Sequence, residues 1–258
     1  MLLETKNISK SFNGVRALKD VSIKVDNQQI ISIIGPNGAG KTTLFNVISG
    51  VYAPDSGEVI FNGENISGKK LNEISCKGIA RTFQNIRLFK GLSVLDNVLT
   101  SCDSLADCNL FDCLFGTPRQ HRADKNNREA CLEYLELVGI CDLKEERPEN
   151  LSYGLQRKLE LARALATKPK LLLLDEPAAG LNPSEVQDFI KLITRIHKQF
   201  DLSILVIEHR MQVVNQLSEW VHVFNFGNML AQGTPLDIQQ NDEVIKAYMG
   251  EEDHSARN

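Results

Sequence analysis

The chain has 258 residues, 42% hydrophobic and 24% charged, a composition ordinary for a globular domain. Lys and Arg number 29 against 33 Asp and Glu, a formal net charge of −4, so no global basic excess attracts nucleic acid and none is expected as a partner. No apolar run approaches the roughly 20 residues that span a bilayer. The opening Met1-Leu2-Leu3-Glu4-Thr5-Lys6 also lacks a basic segment followed by an apolar one, so any membrane role is expected to be peripheral.

Residues 2–34 alternate in the manner of strands. Val21, Ile23 and Val25 recur with period two around Ser22 and Lys24. Residues 30–34 are nearly all apolar, as a buried parallel strand requires. Gly35-Pro36-Asn37-Gly38-Ala39-Gly40-Lys41-Thr42 follows and fits the phosphate-loop pattern G-x-x-x-x-G-K-[ST]. Its glycines let successive backbone N–H groups point at phosphate oxygens. The helix predicted over residues 41–49 adds its positive end. Lys41 brings charge to the β- and γ-phosphates of a nucleotide, and the Thr42 hydroxyl is placed to ligate Mg²⁺. Alone, such a stretch could be a glycine turn before a helix; between a buried strand and a helix it reads as a nucleotide site.

Pro54 and Gly57 punctuate the next loop, and Asn62-Gly63 reads as a hairpin turn. From residue 92 to 166 the texture is mostly helical, with a polar insert at 101–128. Cys131, Leu132, Leu135 and Val138 share one helical face. The basic residues Arg119, His121, Arg122, Lys125 and Arg128 read as the solvated surface of the insert. The six cysteines form no C-x-x-C pair and are expected to be reduced thiols rather than zinc ligands or disulfides.

Leu171-Leu172-Leu173-Leu174 reads as a buried strand, and it ends in Asp175-Glu176. A parallel strand delivers its last residues to the carboxyl edge of the sheet, where ligands bind. Asp175 would there face Mg²⁺ through water, and Glu176 would reach an attacking water as general base. Pro183 opens a helix with Val186, Phe189, Ile190 and Ile193 on its core side. Residues 204–207 form the next strand, and residues 251–258 read as a flexible tail. Alternating strands and helices imply an α/β fold with a mainly parallel sheet.

Between the two sites lies Leu151-Ser152-Tyr153-Gly154-Leu155-Gln156, which resembles the signature segment of ABC ATPases. With the phosphate loop, Asp175-Glu176-Pro177 and Ile207-Glu208-His209, the order and spacing are similar to that superfamily over residues 2–250. Arg81-Thr82-Phe83-Gln84-Asn85-Ile86-Arg87-Leu88-Phe89 and Glu176-Pro177-Ala178-Ala179-Gly180-Leu181-Asn182-Pro183 resemble one branch, as does the insert after Asn97. That branch is the ATP-binding subunit of branched-chain amino acid importers.

The resemblance implies a single domain over residues 1–250, with a phosphate-loop NTPase core at 1–91 and 167–250. An N-terminal antiparallel β region belongs to that core, and the helical signature lobe occupies 92–166. It implies ATP and Mg²⁺ as cofactors and ATP hydrolysis as the activity. Nucleotide would be held by Phe12 stacking on adenine and by Gly35, Pro36, Asn37, Gly38, Ala39, Gly40, Lys41, Thr42 and Thr43. Ser152 and Gly154 would bind the γ-phosphate of a second subunit. Glu176, His209, Gln84 and Lys41 would be catalytic, and Thr42, Gln84 and Asp175 would face the metal.

Two such subunits would meet head to tail beneath two membrane permeases, served by a secreted substrate-binding protein, at the cytoplasmic face of the membrane. Urea, amide or lipid-linked transport, and a non-transport ATPase, are the alternatives. Four positions depart from the family pattern. Tyr153 stands for a glycine and Leu155 for a polar residue; Asn182 stands for an acid, and Arg210 follows His209 where an acid is common.

Overall fold

Every residue of Ile30–Ile34, Leu171–Asp175 and Ser203–Ile207 is buried, as mostly apolar strands in the middle of a parallel sheet must be. The computed structural model describes the backbone of residues 1–102 and 118–255 and the side chains of residues 1–102 and 125–248. The chain divides into two units, residues 1–81 with 170–258, and residues 82–169.

In the first unit, β1 (Leu3–Phe12), β2 (Val15–Val21) and β3 (Lys24–Val25) open an antiparallel sheet completed by β5 (Ser56–Phe61) and β6 (Glu64–Asn65). The hairpin expected at Asn62-Gly63 joins β5 to β6, with both residues at positive φ (49° and 80°) as a tight primed turn requires. The second sheet contains β4 (Ile30–Ile34), β7 (Ile79–Arg81), β8 (Leu171–Asp175), β9 (Ser203–Ile207), β10 (Trp220–Asn225) and β11 (Asn228–Gly233). Its order is β11-β10-β4-β9-β8-β7, parallel except for β11.

The helix α1 (Lys41–Ile48) starts directly from the loop after β4, and Leu44, Phe45 and Ile48 enter a core with Ile31, Ile33, Leu171, Leu173, Leu205, Ile207 and Phe224. That core reaches Leu3, Ile8, Leu18 and Phe61 of the antiparallel sheet. A short α2 (Leu71–Cys76) precedes β7. Ile34, Val221 and Val223 point to the other face of the parallel sheet and form a smaller core with Val214, Ile238 and Val244.

The second unit contains α3 (Val94–Cys102), α4 (Pro118–Leu137) and α5 (Tyr153–Ala166). Cys131, Leu135 and Val138 are buried along one stripe of α4, as their spacing predicts, and Leu132 is half-buried beside them. This unit begins at Thr82, so it takes in residues 82–91, which sequence alone left with the core. The reason is physical: Glu160 and Arg157 of α5 bond the backbone of Phe83 and Gln84. Residues 103–117 of the insert, including Cys108 and Cys113, lie outside the described residues, as do the side chains of Arg119, His121 and Arg122.

The chain closes with α6 (Pro183–Gln199), α7 (Met211–Leu217), α8 (Pro235–Gln239) and α9 (Asp242–Ser255). Val186, Phe189, Ile190 and Ile193 are buried on α6 as their periodicity indicates. The backbone of α9 is helical as far as Ser255, five residues into the stretch read as a flexible tail. After Gly250 no glycine or proline interrupts the i to i−4 ladder there, and Glu251 and Glu252 are good helix formers.

Candidate nucleotide site

The order of the parallel sheet brings three segments of the first unit to one edge. β4 ends in the phosphate loop, its neighbour β9 ends in Glu208-His209, and β8 ends in Asp175-Glu176. β9 pairs with both, Ile33 with Ile207 on one side and Asp175 with Ile207 on the other. Strands in a sheet lie roughly 4.8 Å apart. The loop and the acids therefore stand about two strand spacings from one another, room for a phosphate chain.

The loop's shape is dictated by close backbone approach. A Cβ on Gly35, at φ 146°, would stand 2.1 Å from the Phe224 carbonyl oxygen. One on Gly40, at φ 102°, would stand 2.4 Å from the Ala17 carbonyl oxygen. Asn37 and Gly38 are exposed at the crest. Lys41 is only 5% exposed, and its Nζ donates to the carbonyl oxygens of Gly35 (2.5 Å) and Pro36 (2.7 Å). The cation thus sits curled within the loop it serves. Thr42 is exposed and Thr43 half-buried on the first turn of α1.

Asp175 is 2% exposed, and its Oδ2 accepts from Arg81 Nη2 at 2.8 Å. Arg81 lies on the neighbouring strand β7 and also donates from Nη1 to Asn46 Oδ1 (2.6 Å) and Ser49 Oγ (3.1 Å) of the α1 segment. Glu176 has φ 47°, a left-handed conformation uncommon for a residue with a side chain. Its Oε1 lies 2.8 Å from His209 Nε2.

Glu208, 3% exposed, holds both segments. One of its oxygens accepts from the Ala178 N–H (3.0 Å), the other from the N–H groups of His209 (3.0 Å) and Arg210 (3.3 Å). Neither Arg81 nor Glu208 was singled out from sequence. The signal for Glu208 was an acid terminating an apolar strand, the same signal that identified Asp175.

Phe12 is 38% exposed at the end of β1 and takes no part in the core. Asn182, the departure from an acid, is the N-cap of α6: its Oδ1 accepts from the Glu185 N–H (3.0 Å) while Glu185 accepts from the Asn182 N–H (2.9 Å). Arg210 donates to the Leu181 carbonyl at 3.3 Å.

In the second unit Ser152 is the N-cap of α5, with its hydroxyl accepting from the Leu155 N–H at 3.4 Å. Ser152 and Tyr153 are exposed and Gly154 half-buried, so the positive end of a helix of 14 residues is open to a ligand. Tyr153 has a structural account: its hydroxyl accepts from Arg157 Nη2 at 2.8 Å. The same nitrogen donates to the Gln84 carbonyl (2.5 Å), and Nη1 to Glu160 (3.1 Å) and the Phe83 carbonyl (2.8 Å). Burial pushes the Glu160 carboxyl up, against the pull of the Phe83 N–H and of Arg157. The backbone at Gln84 is thereby tied to the start of the signature helix.

Comparison with known proteins gives the family. The sequence pattern of the ABC transporter family matches residues 18–179, and that of the branched-chain amino acid ATP-binding cassette transporters matches residues 228–254. The chain is 42% identical over 250 residues to the high-affinity branched-chain amino acid transport ATP-binding protein BraF of Pseudomonas aeruginosa, covering 97% of this chain and 98% of that one. It is 39% identical, with the same coverage, to LivG of Escherichia coli, which bears the same description. The lipopolysaccharide export ATP-binding protein LptB of Escherichia coli is 34% identical over 97% of this chain and 98% of its own. Among solved structures, the ADP conformation of MJ1267, an ATP-binding cassette of an ABC transporter, superposes with a TM-score of 0.84 at 32% identity, covering 96% of this chain and 98% of that one.

Proposed function

We propose, from the premise that this chain belongs to the ABC transporter family and is an ATP-hydrolysing cassette, that it powers import of branched-chain amino acids through a separate membrane permease. The observation that carries the reading is the convergence of the phosphate loop and the Glu176–His209 pair at one edge of the parallel sheet. The substrate class is supported by BraF and LivG and by the match over residues 228–254. LptB supports a second reading, transport of a lipid-linked solute.

The nucleotide phosphates lie against the backbone amides of residues 35–42, with Thr43 on the first helical turn behind them and Phe12 beneath the adenine. Lys41 Nζ exchanges its loop carbonyls for β- and γ-phosphate oxygens. The Thr42 hydroxyl and the Asp175 carboxylate are hard oxygen donors that fit Mg²⁺. Magnesium, when bound, offsets charge on the β- and γ-oxygens. Gln84 serves the same ion or the attacking water and senses the permease.

Glu176 accepts a proton from water as the water oxygen bonds to the γ-phosphorus. The bond from that phosphorus to the bridging oxygen breaks, and ADP leaves with the electron pair. His209 orients Glu176 and contacts the γ-phosphate. Ser152 and Gly154 present their helix end to the γ-phosphate held by a second subunit, so that two ATPs are buried in a head-to-tail dimer.

The dimer sits at the cytoplasmic face of the membrane beneath two permease subunits, and a secreted binding protein delivers the solute. None of the described helices is long and apolar enough to cross a membrane, in keeping with a peripheral subunit. Deleting the gene and following uptake of labelled leucine, isoleucine and valine tests the substrate. Loss of leucine uptake with urea uptake intact supports the reading; unchanged leucine uptake overturns it.

A further inference from the structure

The ring of Phe12 does not stand alone at the end of β1. Tyr52, in the loop between α1 and β5, meets it with ring centroids 5.0 Å apart and planes at 66°, an edge-to-face contact. Lys10 Nζ lies 5.6 Å from the same ring centroid, on the strand face that Phe12 shares. The loop is bolted to β1 at the three residues that precede that ring. The Asp55 N–H donates to the Ser9 carbonyl (2.9 Å), Asp55 Oδ2 accepts from the Ser11 N–H (2.7 Å), and Asp55 Oδ1 accepts from Lys10 Nζ (2.7 Å). Hydrogen bonding to Lys10 and to the Ser11 N–H holds the Asp55 carboxyl below its usual range.

We infer that Tyr52 and Asp55 are positioning residues for nucleobase recognition: they hold the Phe12 ring in the orientation that stacks on a purine. This rests on Phe12 being the nucleobase platform. Phe12 and Tyr52 are 38% and 39% exposed, so neither is a core residue with packing of its own to spare. An isolated exposed ring is free to turn about χ1 and χ2, and a base that stacks on it must first immobilise it. Tyr52 removes that freedom before the base arrives. Because the same loop follows directly from α1, whose first residues lie in the phosphate loop, one helix carries both the phosphate contact and the brace for the base. The distance between the two subsites is then set by α1.

The experiment measures nucleotide binding by the pure protein with ATP, with CTP and with inorganic tripolyphosphate, alongside steady-state turnover. Tyr52→Leu is expected to weaken ATP binding and raise KM about threefold to tenfold, the usual worth of an aromatic pair. Its kcat should stay within about twofold, and tripolyphosphate binding should not change, since that ligand carries no base to stack. The preference for ATP over CTP should narrow, and Tyr52→Phe should restore both. Asp55→Asn, which keeps an acceptor for the Ser11 N–H but loses the Lys10 ion pair, should shift the same quantities in the same direction by less.

Phe12→Ala separates the two layers of the argument. Weaker ATP binding in Phe12→Ala with wild-type behaviour in Tyr52→Leu overturns the positioning role alone. Wild-type binding in both variants overturns the platform as well. An equal loss for tripolyphosphate in Tyr52→Leu also overturns the inference, because the loop would then support the phosphate site and not the base.

Discussion

His209 Nε2 and Glu176 Oε1 lie 2.8 Å apart, although 33 residues separate them in the chain. Glu176 directly follows β8 and His209 lies two residues beyond the end of its parallel neighbour β9. The pairing is therefore a property of the sheet, and Glu208 keeps it by bonding the backbone on both sides of the gap. On the proposed mechanism, Glu176 as base acts with His209 as a unit. Glu176→Gln is expected to slow ATP turnover by roughly 10²–10⁴-fold, the usual worth of a positioned base. It should also let ATP hold a dimer long enough to appear on a sizing column. His209→Ala should slow turnover as well, and the double variant should be no slower than the slower single variant. Full multiplication of the two losses in phosphate-release assays would show that they act separately.

Ser152 caps a helix and, on the proposed mechanism, has a second job that measurement can separate from the first. As a cap its bond to the Leu155 N–H is long, 3.4 Å, so losing it should cost about 0.5 kcal/mol, the low end for such caps. As a γ-phosphate ligand in trans it should matter far more for turnover. Ser152→Ala is expected to leave nucleotide affinity of the monomer unchanged in calorimetry and to depress hydrolysis sharply. A collapse of monomer binding would sink the trans arrangement.

Arg81 and Asp175 form an ion pair in which both side chains are nearly inaccessible to water, 7% and 2% exposed. Taking one charge away leaves the other buried against a reduced counter-charge. Arg81→Met should lower stability to urea by about 3–5 kcal/mol. Adding Asp175→Asn to Arg81→Met should recover much of that loss, because the buried anion is then gone. A double variant as unstable as the sum of the singles would mean that Arg81 acts through packing on Phe45, 5.6 Å from its guanidinium, rather than through charge.

His222 on β10 predicts a pH dependence. The side chain is 3% exposed, and neither ring nitrogen has a hydrogen-bond partner among the described residues. Burial pushes its pKa down to about 4 from 6.5. Between those values the unfolded chain holds a proton that the native chain does not. The unfolded state therefore gains on acidification, and stability falls as pH drops from 6.5 towards 4 and is unaffected by this group above 6.5. The loss approaches about 3 kcal/mol at the acid end. Urea midpoints across that range should fall more steeply for the native protein than for His222→Leu, and parallel curves would show that the ring finds a proton-tolerant partner.

The elements that were legible are those whose signal is local. Residues 30–34, apolar but for Ser32, and 171–174 read as buried strands, because a nearly unbroken apolar run of that length fits a sheet covered on both faces. The phosphate loop was legible because its glycines answer to backbone geometry, and the approach of the Ala17 carbonyl to Gly40 explains one of them in full. Arg81 was illegible because nothing in Arg81-Thr82-Phe83 says that its guanidinium reaches Asp175, 94 residues away. Tyr52 was illegible for the same reason: a tyrosine in a loop carries no periodicity, and its partner lies on a strand 40 residues earlier.

By itself, then, the amino-acid order marked the glycine-rich phosphate-loop motif, the strands that end in acids and the segments that open a helix, since each of these depends on the chemistry of neighbours along the chain. Only the tertiary structure decided which acid pairs with which cation, that the Glu208 carboxylate bonds the backbone around Glu176 and His209, and that the Tyr52 ring meets that of Phe12. Those contacts depend on strand order and register, and a one-residue slip in β8 or β9 would turn the same side chains to the opposite face of the sheet.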